Sequence, residues 1–435
     1  MPLLFGTAKF NENEHLTIGG CDTTELVKKY GTPLFVYDVA HIRARARGFK
    51  ETFNSLNVKN KVVYASKAFS CLAIYKLLEE EGLGCDVVSG GELYTAIKGG
   101  MSPKYIEFHG NNKTKDELAY AVDAGVGTIV IDNFYEIELL KEILTEKNTK
   151  QAVMFRITPG VNAETHDYIL TGQVDSKFGF DVNSGQATKA LEILLADEHF
   201  VLRGAHCHIG SQIFSSEGFL AAVEKMMTIL KNWQKEFNYT VEVLNMGGGF
   251  GVKYTQEDDP LKPELFVKSI VNGVKGQCEL LDYPFPEIWI EPGRSIIAEA
   301  GTTLYTVGAQ KRIPEVRHYV SVDGGMGDNI RPALYDAKYD GFLANRVSKE
   351  LPEKVTIVGK YCESGDILIH DIELPPLKGN DLFAVTSTGA YGYSMANNYN
   401  RNPRPAVVFV ENGVDRLVVR RETYEDLIAL DCYYH

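Results

Sequence analysis

The sequence predicts an α/β protein, a (β/α)8 TIM-type barrel followed by a C-terminal β-rich domain. Its 435 residues exceed what one compact core usually holds. Short apolar strand candidates alternate with helix-length segments through most of the chain, and after residue 299 β-branched segments separated by turns replace them. We therefore predict a barrel over residues 32–298. Residues 1–31 and 299–435 are predicted to form a sandwich or a small barrel.

The barrel prediction depends on eight strand candidates that alternate with helices. Such alternation indicates a parallel sheet, and eight units in about 230 residues match a (β/α)8 barrel. A doubly wound sheet is the alternative, but its G-x-G-x-x-G fingerprint is missing, since Gly247–Gly251 has the wrong glycine spacing and comes late. The strand candidates are residues 61–65, 84–88, 105–109, 127–131, 151–157, 201–208, 241–246 and 287–291.

Outside this alternation of strands and helices, the predicted elements are mostly short strands. Residues 33–37 form a strand candidate ahead of a basic amphipathic helix over 41–55. The entry segment 1–31 has strand-like stretches and is therefore grouped with the β-rich domain. The strand candidates of that domain are residues 303–307, 319–322, 354–358, 382–385, 406–410 and 417–420.

Composition narrows the classes of partner. The net charge of -13 argues against a general binder of nucleic acid backbones. No apolar run approaches the roughly 18 residues of a membrane span, and no signal peptide is evident at the N-terminus. The seven cysteines are scattered without a Cys-x-x-Cys pair, which fits a reducing compartment. We predict a cytoplasmic protein without membrane or nucleic-acid partners.

Polar and charged residues follow the predicted barrel strands. Active groups of such barrels lie at the carboxyl ends of the strands, so we expect these side chains to form the site. The residues at the eight ends, in order, are Lys67; Asp86 and Ser89; His109; Asp132; Arg156; His206, His208 and Ser211; Gly247–Gly249; and Glu291 with Arg294.

Lys67 is the candidate nucleophile. It lies between the apolar strand 62–65 and a helix-like segment, 72–81, where a dry pocket could lower its pKa and let the amine form a Schiff base. A solvated lysine at a strand end is the commoner case. The polar and charged residues at the other strand ends favour a nucleophilic Lys67 over a solvated one.

The remaining motifs leave alternatives open. His206 and His208 alternate on one strand as zinc ligands would, but nothing completes a four-ligand set, so we predict no metal and favour a ring that stacks on a flat cofactor or a core histidine. Ser211 beside His208 lacks a nucleophile elbow. Gly247–Gly249 suits an anion or a tight turn. Glu291 and Arg294 can face one cavity or form a surface ion pair.

Six motifs occur in one order along the chain. Together they resemble the pyridoxal-phosphate-dependent diaminopimelate decarboxylases, within the alanine-racemase-like, ornithine-decarboxylase-like fold, and the resemblance runs from about Thr32 to Arg421. The motifs are Tyr64-Ala-Ser-Lys-Ala68, His208-Ile-Gly-Ser-Gln212, Gly247-Gly-Gly-Phe250, Glu291-Pro-Gly-Arg294, Cys362-Glu-Ser-Gly-Asp366 and Gly389-Ala-Tyr-Gly-Tyr-Ser394.

The resemblance implies how pyridoxal 5'-phosphate is bound. Lys67 carries the cofactor, and Glu291 faces its pyridine nitrogen. A carboxylate there keeps the ring protonated as an electron sink, whereas racemases of this fold place an arginine, so Glu291 favours a decarboxylase. The other implied cofactor contacts are His208 stacking on the ring; Ser211, Gly248, Gly249 and Tyr391 at the phosphate; Gly293 and Arg294; and Asp86 with Arg156 in support.

The resemblance also implies the substrate and the assembly. Arg294, Arg331 and Tyr335 hold the distal carboxylate of meso-2,6-diaminopimelate, because an arginine fork suits a carboxylate. Glu363 binds the distal ammonium group. The substrate also contacts Tyr391. In a head-to-tail homodimer, Cys362 and Glu363 reach the site from the partner subunit.

The implied reaction begins at the D-centre of the substrate and releases CO2. Cys362 then protonates the α-carbon, giving L-lysine in the last step of lysine biosynthesis. A decarboxylase of another basic amino acid or of carboxynorspermidine is the nearest alternative, followed by a racemase and by a non-catalytic cofactor-binding protein. The dipeptide Lys338-Tyr339 departs from the family pattern, and we expect it to affect only local packing. The segment 162–173 is long enough to close over a substrate.

Overall fold

The computed structural model describes residues 2–161 and 176–434, so the segment 162–173 lies outside the described residues. The strands are β1 (Lys9–Phe10), β2 (Leu16–Ile18), β3 (Cys21–Asp22), β4 (Leu34–Asp38), β5 (Asn60–Ala65), β6 (Gly84–Val87), β7 (Ile106–Phe108), β8 (Thr128–Ile131), β9 (Gln151–Thr158), β10 (Phe180–Asp181), β11 (Phe200–His206), β12 (Val243–Asn245), β13 (Glu287–Ile290), β14 (Gly301–Ile313), β15 (Arg317–Val322), β16 (Gly341–Leu343), β17 (Glu353–Val358), β18 (Ile367–Leu374), β19 (Leu382–Val385), β20 (Ala406–Glu411) and β21 (Val414–Val419).

Helices connect most of these strands. They are α1 (Thr23–Tyr30), α2 (Val39–Ser55), α3 (Leu72–Glu80), α4 (Gly90–Lys98), α5 (Lys115–Ala124), α6 (Phe134–Glu146), α7 (Gln186–Ala196), α8 (Glu217–Phe237), α9 (Pro263–Leu281), α10 (Arg294–Ile297), α11 (Arg331–Tyr335) and α12 (Tyr424–Ile428). Among the described residues, no helix combines the length and apolar character needed to cross a membrane.

Eight parallel strands close into the predicted barrel. Strands β5 to β9 are neighbours in chain order, β11, β12 and β13 follow β9, and β13 pairs with β5 to close the ring. Each predicted barrel strand overlaps an observed one. Local signals explain the helix ends: α5 begins at a Thr114–Glu117 capping box and ends at Gly125, which has a left-handed φ of 72°. The (β/α)8 prediction is therefore confirmed.

The second unit is built mainly of antiparallel strands. Its long sheet has the order β18-β17-β15-β14-β4-β20-β21, with β16 and β19 attached, and β1–β3 form a small sheet of their own. Leu16, Ile18 and Leu34 share its core with Leu304 and Val408. The N-terminal residues therefore pack with the β-rich part of the chain.

The compact units divide the chain at a different point from the sequence-based boundary. One unit contains residues 2–44, 252–258 and 296–434, and the barrel unit contains the rest of the described chain. Strand β4 pairs with β14 and β20, whereas the boundary at residue 32 grouped it with the barrel. All five residues of β4 are buried, and all but Asp38 are apolar. Its composition therefore resembles that of a barrel strand, and only its pairing distinguishes it.

Candidate active site

Lys67 lies at the carboxyl end of the first barrel strand. It is in a short 3-10 turn, Ser66–Ala68, directly after β5. Ser66 and Ala68 are buried, but the turn carries the Lys67 side chain past the end of the strand, where it is exposed. The dry pocket predicted around Lys67 is therefore not seen among the described residues of the single chain.

Asp86 anchors the turn that carries Lys67. It is on β6 and almost fully buried, and one carboxylate oxygen accepts the backbone N–H of Ser66 at 3.0 Å. Burial raises the pKa of Asp86 to about 7, although the positive charges of His109 and Lys67 oppose the shift. A carboxylate tied to the lysine turn fits the supporting role that was predicted for Asp86.

The glycine run after β12 forms a close-packed backbone cradle. Gly247 and Gly249 have φ values of 67° and 102°, which favour glycine. A Cβ on Gly248 would lie 2.1 Å from the carbonyl oxygen of Glu291, and one on Gly249 would lie 2.2 Å from that of Gly210. Side chains are thus excluded here, and the backbone of the run packs directly against neighbouring backbone.

His208 lies beside this cradle. Its Nδ1 accepts the backbone N–H of Gly248 at 3.3 Å, which leaves the proton on Nε2. Burial and the nearby charge of Lys67 hold the pKa of His208 well below its usual value, so the ring is neutral.

Arg294 and Ser211, two of the predicted site residues, are in contact. Arg294 Nη2 donates to Ser211 Oγ at 3.0 Å. Gly293 is buried against the end of β5, since a Cβ there would lie 2.7 Å from that of Ala65. The absence of a side chain at Gly293 therefore lets the turn after β13 pack against the strand that leads to Lys67.

Glu291 is the centre of a buried polar cluster. One of its carboxylate oxygens is 2.9 Å from His109 Nε2, and the other is 3.0 Å from His206 Nε2. Asn245 Nδ2 donates to the first oxygen at 2.7 Å. Burial alone would raise the pKa of Glu291, but His109 and His206 hold it well below its usual range. Glu291 is therefore a carboxylate.

The contacts of this cluster can be compared with the metal-binding role that was considered for His206. Ligand atoms of His109, His206 and Glu291 lie within 4.8 Å of one another. Both histidines contact the carboxylate directly, and a metal ion bound among them would separate these pairs. That the protein binds no metal stays a prediction. His206 is a buried partner of Glu291, and sequence reasoning assigned this function neither to it nor to Asn245.

In the β-rich unit, tyrosine side chains surround Arg331, one of the predicted substrate residues. Arg331 Nη1 donates to the hydroxyl of Tyr339 at 2.8 Å. Its guanidinium group lies 5.2 Å from the ring centre of Tyr254 and 5.7 Å from that of Tyr391. Tyr335 is 61% exposed on the same short helix. Tyr339, from which only an effect on local packing was expected, thus also makes a hydrogen bond with Arg331.

Cys362 and Glu363 lie in an exposed loop of the β-rich unit. The backbone N–H of Cys362 donates to Asn400 Oδ1 at 2.9 Å. The preceding Tyr361 ring stacks on that of Tyr399, with ring centres 6.2 Å apart. The loop backbone is therefore fixed while the thiol and the carboxylate face solvent.

A buried ion pair fixes the loops after β7 and β8. Lys113 Nζ donates to Glu136 at 2.6 Å and to the carbonyl oxygens of Gly110 and Val130 at 2.9 and 2.8 Å. The other oxygen of Glu136 accepts the backbone N–H of Asp132 at 3.1 Å. The pair thus joins the ends of two barrel strands beneath the site.

Lys113→Met is expected to destabilise the protein strongly. It leaves Glu136 as a buried carboxylate without its cation, which costs about 3–5 kcal/mol of unfolding free energy. Urea unfolding followed by circular dichroism measures the loss. The control is Lys115→Met, which breaks the exposed contact with Glu142 and should leave the midpoint unchanged. Equal midpoints for the two variants would contradict a structural role of the pair.

Comparison with known proteins agrees with this geometry. The family model described as pyridoxal-dependent decarboxylase, pyridoxal binding domain, matches residues 39–298. The chain is 58% identical to the diaminopimelate decarboxylase of Bacillus methanolicus over 427 residues, covering 98% of this chain and 99% of the relative. It is also 58% identical to that of Bacillus subtilis over 428 residues, covering 98% of each.

Solved structures resemble the chain over the same extent. The diaminopimelate decarboxylase of M. jannaschii in complex with L-lysine superposes with a TM-score of 0.93 at 37% identity, covering 98% of each chain. The diaminopimelate decarboxylase of Helicobacter pylori, also with L-lysine, has a TM-score of 0.84 at 32% identity, covering 94% of this chain and 99% of that one.

The fold and the site therefore define a pyridoxal-dependent decarboxylase. Within that class the chain belongs to the diaminopimelate decarboxylases, which confirms the resemblance seen in the sequence motifs. It is an enzyme of lysine biosynthesis that decarboxylates diaminopimelate to lysine with pyridoxal phosphate as cofactor.

Proposed function

We propose that Lys67 attaches the cofactor and that Glu291 faces its ring nitrogen. The observation that carries this proposal is that the Lys67 turn, the Glu291 carboxylate and the glycine cradle lie at one end of the same barrel. Asp86 ties the Lys67 turn to β6, and the backbone of Gly248 lies directly against that of Glu291. We assign the amine to the aldehyde, the ionised carboxylate to the ring nitrogen and the glycine run, which has no side chains, to the phosphate of a phosphorylated pyridine aldehyde.

The remaining cofactor contacts follow from the same arrangement. Ser211 and Arg294 lie together and supply a hydroxyl and a positive charge toward the phosphate. Neutral His208 offers a flat ring beside the glycine cradle. We also assign Gly249 and Tyr391 to the phosphate and Arg156 to a supporting role. Bound pyridoxal phosphate supplies the sink for the electron pair that remains when CO2 departs.

The substrate is proposed to be the meso isomer, decarboxylated at its D-centre. Arg331 and Arg294, with the hydroxyl of Tyr335, recognise the carboxylate that is retained. The Glu363 carboxylate recognises the distal ammonium group. The guanidinium group of Arg331 is surrounded by the rings of Tyr254, Tyr339 and Tyr391, which limits its orientations and favours bidentate binding.

Tyr339→Phe is expected to raise KM for meso-diaminopimelate by roughly 10- to 150-fold with little change in kcat, because loss of a hydrogen bond from a charged group costs about 1.5–3 kcal/mol. The measurement is steady-state CO2 release. Product binding provides the control: L-lysine retains the recognised carboxylate and should bind more weakly to the variant, whereas cadaverine lacks it and should not. Equal weakening of both would contradict the assignment.

Cys362 is proposed to protonate the α-carbon, donating the proton of its Sγ in place of the departed CO2. We further propose a homodimer in which the partner subunit's Cys362 and Glu363 complete each site. Their exposure on a loop with a fixed backbone supports such a contribution.

The seven free thiols support a reducing compartment, for which we propose the cytoplasm.

Substrate choice is tested by CO2 release from the purified enzyme with pyridoxal phosphate. Meso-diaminopimelate, L-ornithine, L-arginine and carboxynorspermidine are offered separately. Strong preference for meso-diaminopimelate is expected. Preference for L-ornithine would leave the cofactor roles intact and refute those of Arg331 and Glu363.

A further inference from the structure

Charged side chains of alternating sign lead through the barrel interior to Glu291. Lys61 at the start of β5 lies over the ring of Trp289, with Nζ 4.3 Å from its centre. Its ammonium group is 3.1 Å from a carboxylate oxygen of Glu107, whose side chain is 0% exposed. His109 Nε2 lies 3.8 Å from the other oxygen of Glu107 and 2.9 Å from Glu291. The order is ammonium, carboxylate, imidazole, carboxylate.

Asn245 fixes the two carboxylates relative to each other. Its Nδ2 donates to Glu107 at 3.1 Å and to Glu291 at 2.7 Å, which uses both amide protons. Its Oδ1 accepts the backbone N–H of Gly247 at 2.9 Å. Two carboxylates that share one amide group are close enough to repel each other, so a positive charge is needed between them.

His109 can supply that charge. Burial on its own would lower the pKa of His109, but the attraction of Glu291 and the contacts with Glu107 raise it to about 10, with a further contribution from Asp86. His206 contacts the same carboxylate, yet burial lowers its pKa, so it is a neutral donor. The two histidines therefore differ in charge while they share one partner.

Hydrogen bonds take only part of the acceptor capacity of Glu291. A carboxylate has about four lone-pair positions, and His206 and Asn245 use two of them, whereas His109 Nε2 lies 2.9 Å away as an ion-pair partner without hydrogen-bond geometry. We propose that His109, supported by Glu107 and Lys61, is a positioning residue that keeps Glu291 ionised and weakly basic, so that a proton shared with the cofactor ring stays on the ring nitrogen. This inference rests on the proposed role of Glu291.

Distance explains why His109 acts on the carboxylate more than on the ring. Coulomb energy falls with separation, and His109 contacts Glu291 directly, whereas a donor at a remaining lone-pair position lies beyond the carboxylate. The imidazolium charge therefore lowers the proton affinity of Glu291 more than that of its partner. Without this charge, the repulsion from buried Glu107 favours the carboxylic acid form of Glu291.

The location of the proton can be measured directly. Pyridoxal phosphate labelled with 15N in the ring is bound to the wild-type protein and to His109→Gln and His206→Gln, and the 15N shift is recorded by solid-state NMR. We expect a protonated nitrogen in the wild type and in His206→Gln, and a shift toward the unprotonated value in His109→Gln. Turnover of His109→Gln should fall by roughly tenfold or more, the equivalent of one pKa unit.

The outcomes distinguish the proposed role of His109 from the proposed role of Glu291, on which it rests. Glu291→Gln should give an unprotonated ring nitrogen, and a protonated one there would overturn the role of Glu291 itself. An unprotonated nitrogen in Glu291→Gln with a wild-type shift in His109→Gln would overturn the role of His109 alone. If His109→Gln does not fold, His109→Asn replaces it, because it also removes the imidazolium charge beside Glu291, and an unchanged shift in that variant counts against the inference.

Discussion

Replacement of Lys67 by alanine is expected to reduce decarboxylation by roughly 10⁴–10⁶-fold, the range seen when a covalent catalytic group is removed. The physical reason is that, in the proposed function, the amine of Lys67 makes the covalent bond to the cofactor. The barrel presents this amine in the exposed turn Ser66–Ala68, anchored through Asp86. Borohydride reduction of the wild-type holoenzyme should fix the cofactor mass on the peptide that contains Lys67, as mass spectrometry can show.

The control for this prediction is Lys76→Ala. Lys76 is an exposed lysine on α3 whose ammonium group contacts Glu79 at 2.9 Å. This variant should retain wild-type activity and the same labelled peptide. Label on another lysine in the wild-type protein, or turnover of Lys67→Ala near that of the control, would refute the assignment of Lys67.

The barrel could be predicted because each strand carries its own signal. Strand β8, for example, has four apolar or β-branched residues in a row, all buried, and helices with caps such as Thr114 separate the strands. Strand β4 has the same local signal but pairs with β14 and β20. Its partners are distant in sequence, so local pattern predicts the strand but not the strands with which it pairs.

The strand-end residues of the site could also be predicted, because the carboxyl ends of parallel strands meet at one face. The interior cluster could not. Glu107 is on β7, Asn245 on β12, and Glu291 follows β13. Strands β7 and β13 are separated by two others in the ring, so these side chains meet only across the closed barrel. Nothing in the spacing of Glu107 or Asn245 shows that contact.

Tyr339 was missed for a related reason. Its position after Lys338 departs from the family pattern, and a departure from a motif does not reveal a contact. The hydroxyl of Tyr339 reaches Arg331 because α11 ends at Tyr335 and the chain turns back through Asp336, which has a left-handed φ of 51°. The turn, rather than the residue type, brings the two side chains together.

A mixture of two inactive variants is expected to recover activity if the sites are shared. Lys67→Ala lacks the proposed cofactor attachment, and Cys362→Ala lacks the proposed acid. When the two are unfolded, mixed equally and refolded, half of the dimers are hybrids. In each hybrid one site combines both defects and the other has neither, so roughly one quarter of wild-type activity should return. CO2 release before and after mixing measures it.

The same experiment distinguishes a partner's thiol from one that acts within its own chain. If Cys362 served the Lys67 of its own subunit, every site in a hybrid would carry one defect and mixing would restore nothing. Cys362→Ala alone should lower kcat by roughly 10²–10⁴-fold, the contribution of a positioned general acid, while cofactor affinity stays near wild type. Equal losses in kcat and cofactor affinity would mean that the exposed loop is structural. Recovery to a quarter, with cofactor affinity intact, requires that the partner subunit's Cys362 reaches the site of Lys67.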